Sequence, residues 1–131
     1  MSRNTDIFVS ADDPVEEVMG VVEQALGREF VYEEGSAPYI RLDPDAVYVG
    51  RHEFGDGDIS WPDGTPVPLH SQYRHWIEVR DTEGDHHRQE ALGARIFAAL
   101  RADGRWKAVF IDDMQRIVDS YDPNGAASWT P

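Results

Sequence analysis

The stretch from Arg74 to Asp113 constrains the fold of this chain more than any other. It reads as a strand (His75 to Arg80), a helix (Asp85 to Ala102) and a second strand (Trp106 to Ile111). Thr82-Glu83-Gly84-Asp85 supplies turn formers, and Asp85 is placed to cap the helix by accepting a bond from an unpaired backbone N–H. Leu92, Ile96, Ala99 and Leu100 recur at spacings of three and four, and with Gly93 and Phe97 they make one apolar stripe. A glycine inside a helix costs roughly 1 kcal/mol against alanine, so Gly93 predicts the close approach of another backbone. Gly104 stands where a left-handed C-terminal cap is expected. Trp106-Lys107-Ala108-Val109-Phe110-Ile111 has the β-branched and aromatic content of a strand, and its last four residues suggest burial on both faces.

Upstream, Asp6 to Ser10 predicts a first strand. Asp13 is an apparent N-cap, with Pro14 at the first helical position of a helix from Pro14 to Leu26. Val15, Val18, Met19, Val22 and Leu26 carry its stripe, and Gly27 ends it. Arg28 to Glu34, Tyr39 to Leu42 and Ala46 to Phe54 read as three more strands. After Ile111, alternation from Arg116 to Tyr121 predicts a returning strand, the other reading being a short helix capped by Asp113. Residues 126–131, with Trp129, read as a loose tail. The order β-α-β-β-β-β-α-β-β predicts a single α+β domain over residues 1–131. That domain is a two-layer sandwich with a mainly antiparallel sheet, both helices on one face and the other face open to solvent or a partner.

Charge narrows the partners. Twenty-five acidic residues against twelve basic ones give −13, which opposes binding to nucleic acid or to an anionic membrane. The same balance suits a basic protein, metal ions or plain solubility. With no cysteine, disulfides and thiolate metal sites are excluded. No apolar run approaches the roughly 20 residues that span a bilayer. Met1 to Asp6 lacks the apolar segment of a secretory signal, so a cytoplasmic protein is expected.

Strong catalytic motifs are missing: there is no Gly-x-Ser-x-Gly elbow, phosphate loop, dinucleotide turn or His-Glu-x-x-His helix. His86 and Glu90 share a helix face, and with His87, Asp85 or Glu83 they could hold a divalent cation. Solvated or capping roles explain them as well, and the expectation is no metal and no cofactor. Asp56, Asp58 and Asp63 depart from a calcium-loop spacing and read as turn carboxylates. Glu53, Glu78 and Asp81 lie on or near strands and are candidate acid–base carboxylates if brought together.

The segment from Gly55 to His70 is dense in proline and glycine, and long loops of this kind are disproportionately functional. Within it Trp61 either folds back over the sheet or stands out as a binding anchor. Trp61, Tyr73, Arg74 and Trp76 are the predicted binding residues. The expected function is a small, non-enzymatic, immunity- or adaptor-like module that captures a basic protein, an analogy drawn from fold and charge alone. The alternative is a small-ligand binder or enzyme whose pocket lies between residues 55–70 and the central strands, with His70, His75 and Glu78 as candidates. An exposed sheet edge or open face would equally serve a homodimer.

Overall fold

The computed structural model describes residues 4–125. Its strands are β1 (Thr5–Ser10), β2 (Tyr39–Arg41), β3 (Asp45–Arg51), β4 (His75–Asp81), β5 (Lys107–Asp112) and β6 (Arg116–Tyr121). Two helices join them, α1 (Val15–Leu26) and α2 (His86–Asp103). The strands form one sheet in the order β2-β3-β4-β1-β5-β6, and every neighbouring pair is antiparallel. Strands β4 and β5 flank β1 and therefore run parallel to each other, with α2 carrying the chain between them.

Side-chain alternation sorts the strands into two faces. Ile7, Val9, Val47, Val49, Ile77, Val79, Ala108 and Phe110 point one way. They share a single core with Val18, Met19, Val22 and Leu26 of α1 and with Leu92, Ile96, Phe97 and Leu100 of α2. Both helices thus lie on one face, and the architecture is the expected α+β sandwich. Buried Gln89 locks α2 to the sheet: its side-chain oxygen accepts from the Asp81 N–H at 2.8 Å and its amide donates to Thr5 Oγ1 at 2.9 Å.

The second helix ends as its sequence implies. Asp85 accepts from the Arg88 N–H at 3.0 Å, and Gly104 closes the helix at φ 78°. Gly93 is explained differently from the expectation. A Cβ there would stand 2.9 Å from Thr5 Cγ2 and 3.0 Å from Phe110 Cζ, so side chains of β1 and β5, and not a second backbone, press on it. The start of α1 also differs, because no side chain caps it. The Asp13 carboxylate accepts instead from the Trp106 indole N–H at 2.7 Å, and the Asp13 carbonyl lies 3.0 Å from His75 Nε2. Asp13 ties the helix start to the sheet.

Two predicted strands are shorter than their sequences suggest. Between Arg28 and Glu34 only Val31 makes a bridge, to Tyr39, and the Arg41 carbonyl that the next rung would use accepts from the Arg28 guanidinium at 3.1 Å. Strand β3 stops at Arg51 because the His52 ring intervenes. Its Nδ1 accepts from the Phe54 N–H at 3.1 Å, and its Nε2 meets the Tyr73 carbonyl at 2.6 Å. After β5, Asp113 and Met114 take φ 53° and 51°, and Gln115 N–H bonds back to the Asp112 carbonyl at 3.0 Å. Two left-handed central residues make a turn whose twist matches a hairpin, so residues 116–121 return as β6 and not as a helix. The predicted tail with Trp129 lies outside the described residues. Among the described residues, no helix is long and apolar enough to cross a membrane.

Candidate functional site

The face opposite the helices is half covered. On β1 and β5, Phe8, Val109 and Ile111 are buried beneath Ile59, Val67, Leu69 and Tyr73, which arrive on the segment between β3 and β4. This segment is folded on itself: Trp61 and Val67 N–H groups bond to the Thr65 and Ile59 carbonyls, at 2.8 and 2.9 Å. The three aspartates hold its turns. Asp56 accepts from the Ser71 N–H at 3.0 Å, Asp58 from the Gly55 N–H at 2.7 Å, and Asp63 from the Thr65 N–H and hydroxyl at 2.9 and 2.7 Å. Those bonds to Ser71 and Thr65 draw Asp56 and Asp63 below the usual carboxylate range.

Trp61 takes the covering role. It packs half-buried on the same cluster as Tyr73, Trp76 and Phe54. Trp61 and Tyr73 also line a small cavity of about 180 Å³ against β5 and β6, where the Lys107 ammonium sits 5.5 Å from the Tyr73 ring. Burial pushes the Tyr73 phenol up to about 12. The structure therefore joins three of the four predicted binding residues, Trp61, Tyr73 and Trp76, and leaves Arg74 at another place.

Beyond the loop cluster, the outer face of β2, β3 and β4 presents partly exposed Tyr39, Tyr48 and Glu78. Register places Val31, Tyr39, Tyr48, Glu78 and Asp6 in one row across it. Val31 is 44% exposed. The Tyr39 and Tyr48 rings lie 6.1 Å apart, and the Tyr39 hydroxyl donates to Glu33 at 2.6 Å. Arg80 holds Glu78 at 3.0 Å.

The row ends on Asp6, which is fully buried. Its Oδ1 accepts from the Trp76 indole N–H at 2.7 Å, while its Oδ2 has no partner. Desolvation dominates and pushes this carboxyl up to about 7, although the Trp76 bond works the other way. A second carboxylate group lies at the start of α2. Asp81 is held well below the usual range by the Arg88 guanidinium, and Arg88 is held more firmly protonated in return. Neighbouring Asp45 is pushed up to about 6 by desolvation and by its hydrogen bond with Asp81. Glu78, Asp81 and exposed Glu53 are not brought together: Asp81 faces the helices and Glu78 the opposite side.

At the sheet end formed by Arg51 and His75, cross-strand partners on β3 and β4, two hollows adjoin. One, of about 380 Å³, is lined by Arg51, His52, His70, Ser71 and Arg74. The other, of about 430 Å³, shares Arg51 and Arg74 and adds His75, Asp12, Asp13 and Glu16. His70 and His75 thus flank one site from two sides, without Glu78. Among the described residues, every other lysine and arginine is bonded to the chain's own carboxylates, carbonyls or amides. Arg51 and Arg74 have no such bond.

No set of three or more histidine, aspartate or glutamate side chains is placed to hold a metal ion among the described residues. His87 is exposed, and Glu90 is engaged by Arg116 at 2.7 Å. Sequence reasoning missed Asp6 and Arg51. The first left a signal, since alternation puts Asp6 on the same face as Phe8; the second depended on strand pairing. No protein-family model, curated protein or solved structure matches this chain.

Proposed function

We propose that this protein is a binding module for a basic protein, and that the partner docks on the partly exposed outer face of β2, β3 and β4. The observation that carries this reading is the row Val31, Tyr39, Tyr48 and Glu78, which the covering loop does not reach. Tyrosine and arginine are the residue types that anchor interfaces, and this face offers Tyr39, Tyr48, Arg41 and Arg80. Its carboxylates outnumber its cations: Glu33, Asp43 and Glu78 stand against Arg41 and Arg80, and both arginines are paired to acids of that set. A basic surface would be steered there by the net charge of −13 and then held by desolvated aromatic contact.

Affinity capture of the tagged protein from a lysate of its source cells tests the reading. A basic protein retained at low salt, released at high salt and lost with Tyr39→Ala or Tyr48→Ala supports it. Recovery of no basic protein, or of one that both variants still hold, overturns it.

A further inference from the structure

The two unpaired arginines point to a second, independent binding site. On a chain this acidic, a basic side chain has carboxylates within reach almost everywhere, and the other described cations have taken a partner. Arg51 and Arg74 instead face the same two hollows, one from the end of β3 and one from just before β4. We propose that these arginines form an oxyanion site for a small molecule that carries one carboxylate or phosphate group.

Each part of that description comes from the walls. Guanidinium forks match carboxylate and phosphate geometry and bond them in bidentate fashion. Both unshared forks line the same hollows. His75, which is 7% exposed, forms part of the wall of the second hollow. Its Nε2 faces the Asp13 carbonyl, which can only accept, so the proton sits on Nε2. Nδ1 of the same ring is sealed from the hollow, so His75 closes the wall and does not bind the ligand. Asp12, Asp13 and Glu16 line only the second hollow and repel an anion there, so the oxyanion belongs in the first, between Arg51 and Arg74, and the ligand carries no further anionic group. His52 is a wall and not a ligand group, because both of its ring nitrogens are already bonded. Hollows of about 380 and 430 Å³ are of the size that small organic molecules occupy.

This site shares no residue with the sheet face the partner docks on, so it stands or falls apart from the partner reading. The test is titration of the full-length protein, followed by backbone amide NMR, with inorganic phosphate and with lactate in separate arms and sodium chloride at matched ionic strength as the control. Expected are saturable shifts at residues 51–52 and 70–75 at concentrations up to about 50 mM, the weak range suited to fragments of so few atoms. Arg51→Gln and Arg74→Gln should each weaken binding at least about tenfold, with thermal unfolding unchanged. Phosphate alone acting marks a phosphate ligand, lactate alone a carboxylate one; either supports the site. It is overturned if neither probe saturates, if chloride produces the same shifts, or if the double variant binds as the parent does.

Discussion

Asp6 shows how far one side chain can stand against its surroundings. A carboxyl raised from 3.8 to about 7 binds its proton more tightly folded than unfolded. Its contribution therefore weakens stability as pH rises from about 4 to 7, and the full penalty persists above that window. Asp6→Asn keeps an acceptor for the Trp76 indole and removes the charge. We expect it to stabilise the protein at pH 8 by on the order of 3 kcal/mol and to leave stability at pH 4 nearly unchanged, as read from urea unfolding midpoints. A variant equally or less stable at pH 8 would show that Asp6 is ionised at little cost. Gly93 poses a steric question of the same kind. Alanine there gains roughly 1 kcal/mol of helix propensity but drives a methyl into Thr5 and Phe110, and overpacking of that degree costs about 1–3 kcal/mol. Gly93→Ala should lower stability, and combining it with Phe110→Leu should recover part of the loss in a double-mutant cycle. The sequence marked Gly93 as unusual because glycine disrupts helical propensity, but it held no clue to which groups crowded it.

At the scale of elements, legibility followed the length of the periodic signal. Helices α1 and α2 and strands β1, β4, β5 and β6 could be read because their apolar residues recur over several turns or alternations. The strand predicted over residues 28–34 shrank to one bridge where the Arg28 side chain took the Arg41 carbonyl that the next rung would use. Asp13 misled similarly: its capping chemistry is real, but a buried indole 93 positions away claimed it. The segment between β3 and β4 was legible as a long irregular loop and opaque as a layer. Ile59, Val67, Leu69 and Tyr73 have no regular spacing, so their common burial follows only from the tertiary path. Trp61 sits half-buried at the margin of that layer, where it closes the edge of the apolar cluster. Trp61→Ala should cost about 1–2 kcal/mol in urea unfolding, less than a full core deletion because the ring is only half covered. It should also speed proteolytic cleavage within residues 55–70 under native conditions, with β1 and β5 amides remaining protected longer in hydrogen exchange. Unchanged proteolysis would mean the loop is held by its own turns and not by the indole.

At the scale of the whole molecule, both candidate sites arise from pairings that sequence spacing does not encode. Charge, the absent motifs and the aromatic residues near Trp61 were all visible in the chain. The row across β2 to β4 and the meeting of Arg51 with Arg74 arise only once the strands are in register, because residues 51 and 75 become neighbours through β3–β4 pairing. The same assembly sets the acid response of the molecule. Two carboxyls, Asp6 at about 7 and Asp45 at about 6, are raised mainly by desolvation, so each favours the folded state more as pH falls toward 4. The general repulsion of a −13 chain also relaxes over that interval as carboxylates begin to protonate. Opposing them, Asp81 is lowered by Arg88, and Asp56 and Asp63 by hydrogen bonds to Ser71 and Thr65. Those three contribute stability above the ordinary carboxylate range and lose it as pH falls through their folded values. The two sets act in different windows, so stability should rise from pH 8 to a maximum at about pH 5 and then fall steeply below about pH 4. Urea midpoints taken across that range measure it directly. A maximum at neutral pH would mean that Asp6 and Asp45 are solvated well enough to ionise freely. In Asp6→Asn the rise between pH 8 and 5 should shrink, while the acid limb, which belongs to the Asp81–Arg88 pair and the turn carboxylates, should stay where it is.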